Sequence, residues 1–173
     1  GLDRSERGSA PDKFQRVFAR AGEAGLACVA HAGEEGPAEY IEQALDLLKV
    51  VRIEHGVRCV ESPALVQRLI AEQMPLTVCP LSNLRLCGIA RLEDHPLKRM
   101  LLFGLRAPVN SDAPAYFGGY VDDNYLCTAA AIGLKAGEII ELARNSFLVG
   151  FLPQADIERH LAGIDAVVEA LAV

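Results

Sequence analysis

Short apolar runs alternate with amphipathic stretches along the whole chain. LACVA (residues 26–30), VVRI (50–53), PLTVC (75–79) and RAPVN (106–110) are compact and largely apolar, which predicts strands buried on both faces. Between them the apolar spacing turns helical. Ser9 and Pro11 open a helix to about Ala24, closed by Gly25. Pro37 opens a second, to about Leu48, and Ser62 with Pro63 a third, to about Gln73. Asp94 or Pro96 starts a fourth, ending near Gly104. Two or three more run from about Asp123 onward, with Pro153 dividing the last from its predecessor.

Strand–helix alternation with short connections predicts parallel β/α units. Two architectures fit: an open doubly wound sheet, or part of a (β/α)8 barrel. A complete barrel takes about 250 residues. This chain has 173 and starts at Gly1 without a methionine. Its four clear strands, plus the end of a fifth at Gly1, make it on the barrel reading a C-terminal half. That half is expected to be a single partial domain over residues 1–173, with further chain upstream.

The strand ends carry the chemistry. LACVA runs straight into HAGEEG, and burying an unpartnered imidazole or carboxylate costs free energy. His31, His55 and Cys79 follow one another at 24-residue intervals, each where a strand ends, and Asp112 falls at the next such end. In both architectures the carboxyl ends of parallel strands face one site. His31, Glu34, His55, Asn83 and Asn110-Ser111-Asp112 therefore converge, and two imidazoles with carboxylates form a metal and acid–base set. Each has an ordinary alternative. His31 fits a hydrogen-bonded structural residue and Glu34 a solvated carboxylate or one that favours the next helix's N-terminus, and HG at 55–56 is by itself a weak signal. Asp112 before Ala113-Pro114 fits a cap, and the Asn83 amide a loop tie. Their shared register at successive strand ends favours a site. His95 and His160 lie away from strand ends and read as structural or exposed.

Composition narrows the partners. Hydrophobic residues make up 51% of the chain, enough for a sizeable core. A net charge of −6 argues against a nucleic-acid surface. Cys28, Cys59, Cys79, Cys87 and Cys127 form no CxxC pair and read as reduced core thiols of a cytoplasmic protein. No apolar run reaches the ~18 residues of a membrane span, and no signal peptide is visible. No phosphate-binding glycine motif supports the open-sheet binding module.

HAGE (31–34), RIEHG (52–56), CPLSN (79–83) and VNSDAPAYFGGY (109–120) together resemble the adenosine/adenine deaminase family of metal-dependent amidohydrolases. The likeness covers nearly the whole chain and is closer to the adenine branch; the HxE and PCxxC signature of the other zinc deaminases is absent. The resemblance implies a (β/α)8 barrel and hydrolytic deamination of adenine to hypoxanthine and ammonia by a zinc-activated water. It implies His31 and Asp112 as zinc ligands, Glu34 as the proton donor to purine N1, and His55 as the residue that orients and deprotonates the water. The backbone of Gly1 is implied to contact the purine.

Two departures matter. The family's other two Zn2+ ligands come from an HxH motif on a first strand that lies outside this sequence. The family also has two adjacent aspartates where this chain has Asp112 and Ala113, and the second contacts purine N7. Losing it costs on the order of 1–3 kcal/mol. Arg4 and Glu54 are smaller departures. The alternatives are adenosine as substrate, or a non-catalytic fragment acting through another chain. A half-barrel leaves open sheet edges, so self-association or complementation by an N-terminal half is expected.

Overall fold

Three parallel strands form the centre of the sheet in the order β1 (Val29–Ala32), β2 (Arg52–His55), β3 (Leu76–Thr77). His31 pairs with Glu54 and Ala32 with His55; Ile53 pairs with Leu76. Single parallel bridges extend the sheet at both edges, Leu2 to Ala30 and Val78 to Val109. Among the described residues the sheet thus has five parallel segments, including the one expected at Gly1. The computed structural model describes residues 1–3, 5–86 and 88–171. The readings placed on Arg4 and Cys87 lie outside the described residues.

The expected strand at 106–110 is reduced to that one bridge. Leu76 N–H donates to Arg106 O at 3.1 Å and Asn110 N–H to Val78 O at 2.8 Å. Pro108, between them, has no N–H for the ladder. The first three strands start two or three residues later than expected or are shorter. Leu26 is 63% exposed because residues 24–26 still close the preceding helix.

Burial alternates along β1 and β2. Ala30, Ala32, Ile53, Leu76 and Val78 are buried against the helices, whereas Val29, His31, Arg52, Glu54 and Thr77 on the other face are half-buried. The sequence predicted both faces covered; instead the inner face is polar and partly open. Its Arg52 guanidinium pairs with Glu54 at 2.9 Å and lies 4.4 Å from the Phe151 ring centre, while Thr77 donates to Glu54.

The outer layer is helical: α1 (Gln15–Glu23), α2 (Ala38–Asp46), α3 (Pro63–Ala71), α4 (Pro80–Arg85), α5 (Leu97–Leu102), α6 (Pro114–Phe117), α7 (Val121–Ile132), α8 (Ala136–Leu148) and α9 (Gln154–Leu171). Ile41 of α2, Leu65 and Leu69 of α3, and Leu97 and Met100 of α5 fill the core behind the strands. Asn145 of α8 donates to Ala107 O at 3.2 Å, tying the last helices to the fifth segment. The short α4 and α6 were not predicted, and α7 starts two residues before Asp123. Cys28, Cys59 and Cys79 are buried free thiols, as expected; Cys127 is exposed. Among the described residues no helix is long and apolar enough to cross a membrane.

The start of α3 shows the local logic. Ser62 is its N-cap, Pro63 its first residue, and Ser62 Oγ accepts from Leu65 N–H at 3.3 Å. Ser62→Ala is expected to lower unfolding free energy by about 1 kcal/mol, read as a shift of the urea midpoint at constant slope.

Candidate active site

His31, Glu34, His55 and Asp112 meet where the strands end. The His31 and His55 rings lie edge to face with centroids 4.7 Å apart. His55 Nδ1 is 3.2 Å from Glu34 Oε1. Ligand atoms of His31, Glu34 and His55 all lie within 4.8 Å of one another, as do those of His55, Cys79 and Asp112. Two adjoining cavities, of about 370 and 320 Å³, share His31 and Asp112 in their walls. Both fall in the size range of small-molecule sites. A larger cavity, about 780 Å³, is an apolar groove between α8 and α9 that contains none of these groups.

Backbone geometry places two of the four. Strict alternation would send His55 to the helix side with Ile53; its left-handed φ of +65° turns the ring towards His31 instead. Asp112 has φ +57°. Such conformations cost on the order of 1–3 kcal/mol each and cluster at functional sites. Lys49 and Gln73, the other two non-glycine residues with positive φ among the described residues, merely follow helix ends.

Three further residues hold the set, and the sequence reading missed their roles. Ser82 Oγ donates to Asp112 Oδ2 at 2.6 Å. His95, read as structural or exposed, is buried and contacts Asn83. Glu6, hidden in the charged run DRSERG, is 4% exposed, and its carboxylate accepts from the N–H groups of Gly33, Glu34 and Gly36 at 2.9 Å each. The signal available for it was GEEG itself: a turn with several unpaired donors needs an anion. Asn83, expected to converge with this set, does so: its Nδ2 donates to Glu34 Oε1 at 2.8 Å, a contact within the cluster and not a loop tie. His160 stacks on Phe147, away from the cluster.

Burial sets the protonation states. Glu34 is 5% exposed, and desolvation pushes its pKa from 4.5 up to about 8; the Asn83 bond opposes this, while Asp112, Glu6 and Glu35 add to it. His55 is 2% exposed, and burial, then the neighbouring His31, push its pKa down to about 4. At neutral pH both are uncharged, so their contact is a hydrogen-bonding one and no ion pair. The Cys79 thiol is pushed far up by burial, which leaves it protonated and a poor metal donor.

Gly1 lies beside Val29, and among the described residues it is not part of either cavity wall. Ala113 is exposed next to Asp112 and caps α6, its carbonyl accepting from Tyr116 and Phe117 N–H at 2.9 Å. The imidazole of His31 and the carboxylate of Asp112 line both cavities, and Ser82 holds that carboxylate by its hydrogen bond. They are two donors where catalytic zinc sites use three or more.

A family model described as adenosine deaminase matches residues 1–167. Adenine deaminase of Sphingopyxis alaskensis is 61% identical over 96% of this chain and 49% of its own length. That of Hahella chejuensis is 57% identical over 95% and 49%. The crystal structure of adenine deaminase from Arthrobacter aurescens superimposes with a TM-score of 0.95 at 53% identity, covering 98% of this chain and 52% of that one. An amidohydrolase from Burkholderia ambifaria with bound Zn gives 0.88 at 26%, covering 99% and 50%. The chain spans about half the length of these relatives, and its strands and helices are half of a (β/α)8 barrel. It belongs to the adenosine deaminase family.

Proposed function

We propose that this chain is one partial domain, residues 1–173, of an enzyme that hydrolyses adenine to hypoxanthine and ammonia. The observation that carries this is the pairing of a buried neutral acid, Glu34, with a buried neutral imidazole, His55, beside His31 and Asp112. The relatives' names supply the substrate.

His31 and Asp112 would hold a zinc ion, with two further donors from outside these residues. Bound there, the ion supplies water whose pKa falls towards about 7. His55, uncharged at neutral pH, accepts a proton from the attacking water. Glu34, still protonated at pH 7, donates its proton to a ring nitrogen as electrons move onto it. The acid and the base need opposite proton occupancies at one pH, and burial provides both. Ser82 keeps Asp112 in place. Gly1 and the residue at 113 would border the purine, and the missing half would come from more of the same polypeptide, a complementing chain or a second copy.

The test is a completed barrel: this chain joined to the N-terminal half of the Sphingopyxis alaskensis relative, loaded with zinc. Adenine loss and ammonia release are expected, with adenosine turned over more slowly. A well-assembled, zinc-loaded protein with neither activity would refute the reading. Ala113→Asp in that barrel is expected to raise kcat/KM for adenine by about 10- to 100-fold. No gain would remove position 113 from substrate binding.

A further inference from the structure

A backbone N–H can only donate, and one such group sets the polarity of the buried network behind the cleft. Leu97 N–H donates to His95 Nδ1 at 3.1 Å. His95 is buried, and desolvation keeps the ring neutral near pH 7, its pKa pushed down to about 4. The ring's one proton therefore sits on Nε2 and is donated to Asn83 Oδ1 at 3.3 Å. With its oxygen so engaged, the Asn83 amide can present only its nitrogen to the site. That nitrogen lies 2.8 Å from Glu34 Oε1 and 3.3 Å from His55 Nδ1.

We propose that Asn83 and His95 are positioning residues that lock the Glu34 carboxyl group with Oε1 as a hydrogen-bond acceptor, so that its proton is carried on Oε2. Among the described residues, neither lines the two cavities, so neither is placed to touch substrate. Ser82 and Asn83, adjacent in α4, then hold the two carboxyl groups of the site, Asp112 and Glu34. His95 acts on the acid through Asn83, from the segment that leads into α5. The consequence for catalysis rests on the reading of Glu34 as proton donor; the polarity rests on hydrogen-bond geometry.

Two measurements test this. Nitrogen-15 spectra of imidazole-labelled chain are expected to show His95 with bare Nδ1 and protonated Nε2. A proton on Nδ1 would overturn the proposal. In the completed barrel, Asn83→Leu is expected to lower kcat at least about tenfold with KM nearly unchanged, the loss of a hydrogen bond to the reacting acid. His95→Asn keeps an acceptor for Leu97 N–H but withdraws the donor from Asn83, whereas His95→Gln keeps a donor near the Nε2 position. The Gln variant is expected to recover most of the kcat that the Asn variant loses. Equal losses from both, or an Asn83→Leu enzyme with full kcat, would overturn the relay. A reference barrel without turnover would instead remove the proton-donor reading, and the imidazole spectrum would still decide the polarity.

Discussion

Glutamine in place of Glu34 is expected to lower kcat of the completed barrel by about 10²- to 10⁴-fold, the usual contribution of a general acid, with little change in KM. The amide is isosteric and can still accept from Asn83, so the geometry is kept and only the transferable proton is lost. The same substitution has an opposite effect on the metal-free chain. Folding raises the Glu34 pKa from 4.5 to about 8, so the folded state binds this proton more tightly than the unfolded state. The stabilisation it gives is complete below about pH 4.5 and is lost as pH rises through about 8. At and above that pH the buried carboxylate costs on the order of 3–5 kcal/mol relative to its neutral form. His55 and His95 work the other way: their lowered values add stability as pH rises from about 4 to 6.5. The difference between wild type and Glu34→Gln isolates the glutamate. Urea midpoints across this range are expected to diverge, with the Gln variant the more stable at pH 8. Parallel curves would mean that Glu34 is not held neutral by burial.

The four residues His31, Glu34, His55 and Asp112 were legible because each follows an apolar run, and the ends of parallel strands must converge. Their supports were not. Glu6 sits among Asp3, Arg4 and Arg7, where charge density reads as a solvated surface; only the fold shows its carboxylate turned under the next strand's loop. Asn83 was read as part of the converging set, but Ser82 drew no reading and α4 was not foreseen, because it starts at Pro80 directly after the two-residue β3 and is only six residues long, too short for a helical period to show. His95 has no strand-end signature, since its partner is a backbone N–H two residues on. The fold itself was read well at the level of units and less well at their edges. Hydrophobicity located the strands but placed Leu26 inside, and it could not register that Pro108 interrupts a ladder. The polar inner face was equally hidden, because Arg52, Glu54 and Thr77 alternate with the apolar residues that marked the strands.

Glu6 is the support whose loss is expected to cost most. Its Oε2 accepts from Gly33 and Gly36 and its Oε1 from Glu34, so one side chain satisfies three donors of the turn that presents the acid. The turn has little room for alternatives. Gly33 has φ +72°, and a Cβ there would lie 2.5 Å from Ile41 Cδ1; at Gly36 a Cβ would collide with Glu6 and Tyr40. Both glycines are thus the means by which the backbone wraps the carboxylate. Glu6→Gln keeps one acceptor oxygen but faces an NH2 group towards an N–H, an expected loss of about 2–4 kcal/mol. Glu6→Ala leaves all three donors without that acceptor, and at about 1–3 kcal/mol for each buried group the loss is several kcal/mol. That is a large part of a typical domain's whole stability. Hydrogen exchange locates the effect: the Gly33, Glu34 and Gly36 amides are expected to be protected in the wild-type chain and to exchange rapidly in Glu6→Gln, under conditions where β2 stays protected. Slow exchange of the three amides in the variant would show that the turn holds its shape without Glu6. Rapid exchange would make this carboxylate the fixed point from which the position of Glu34 is set.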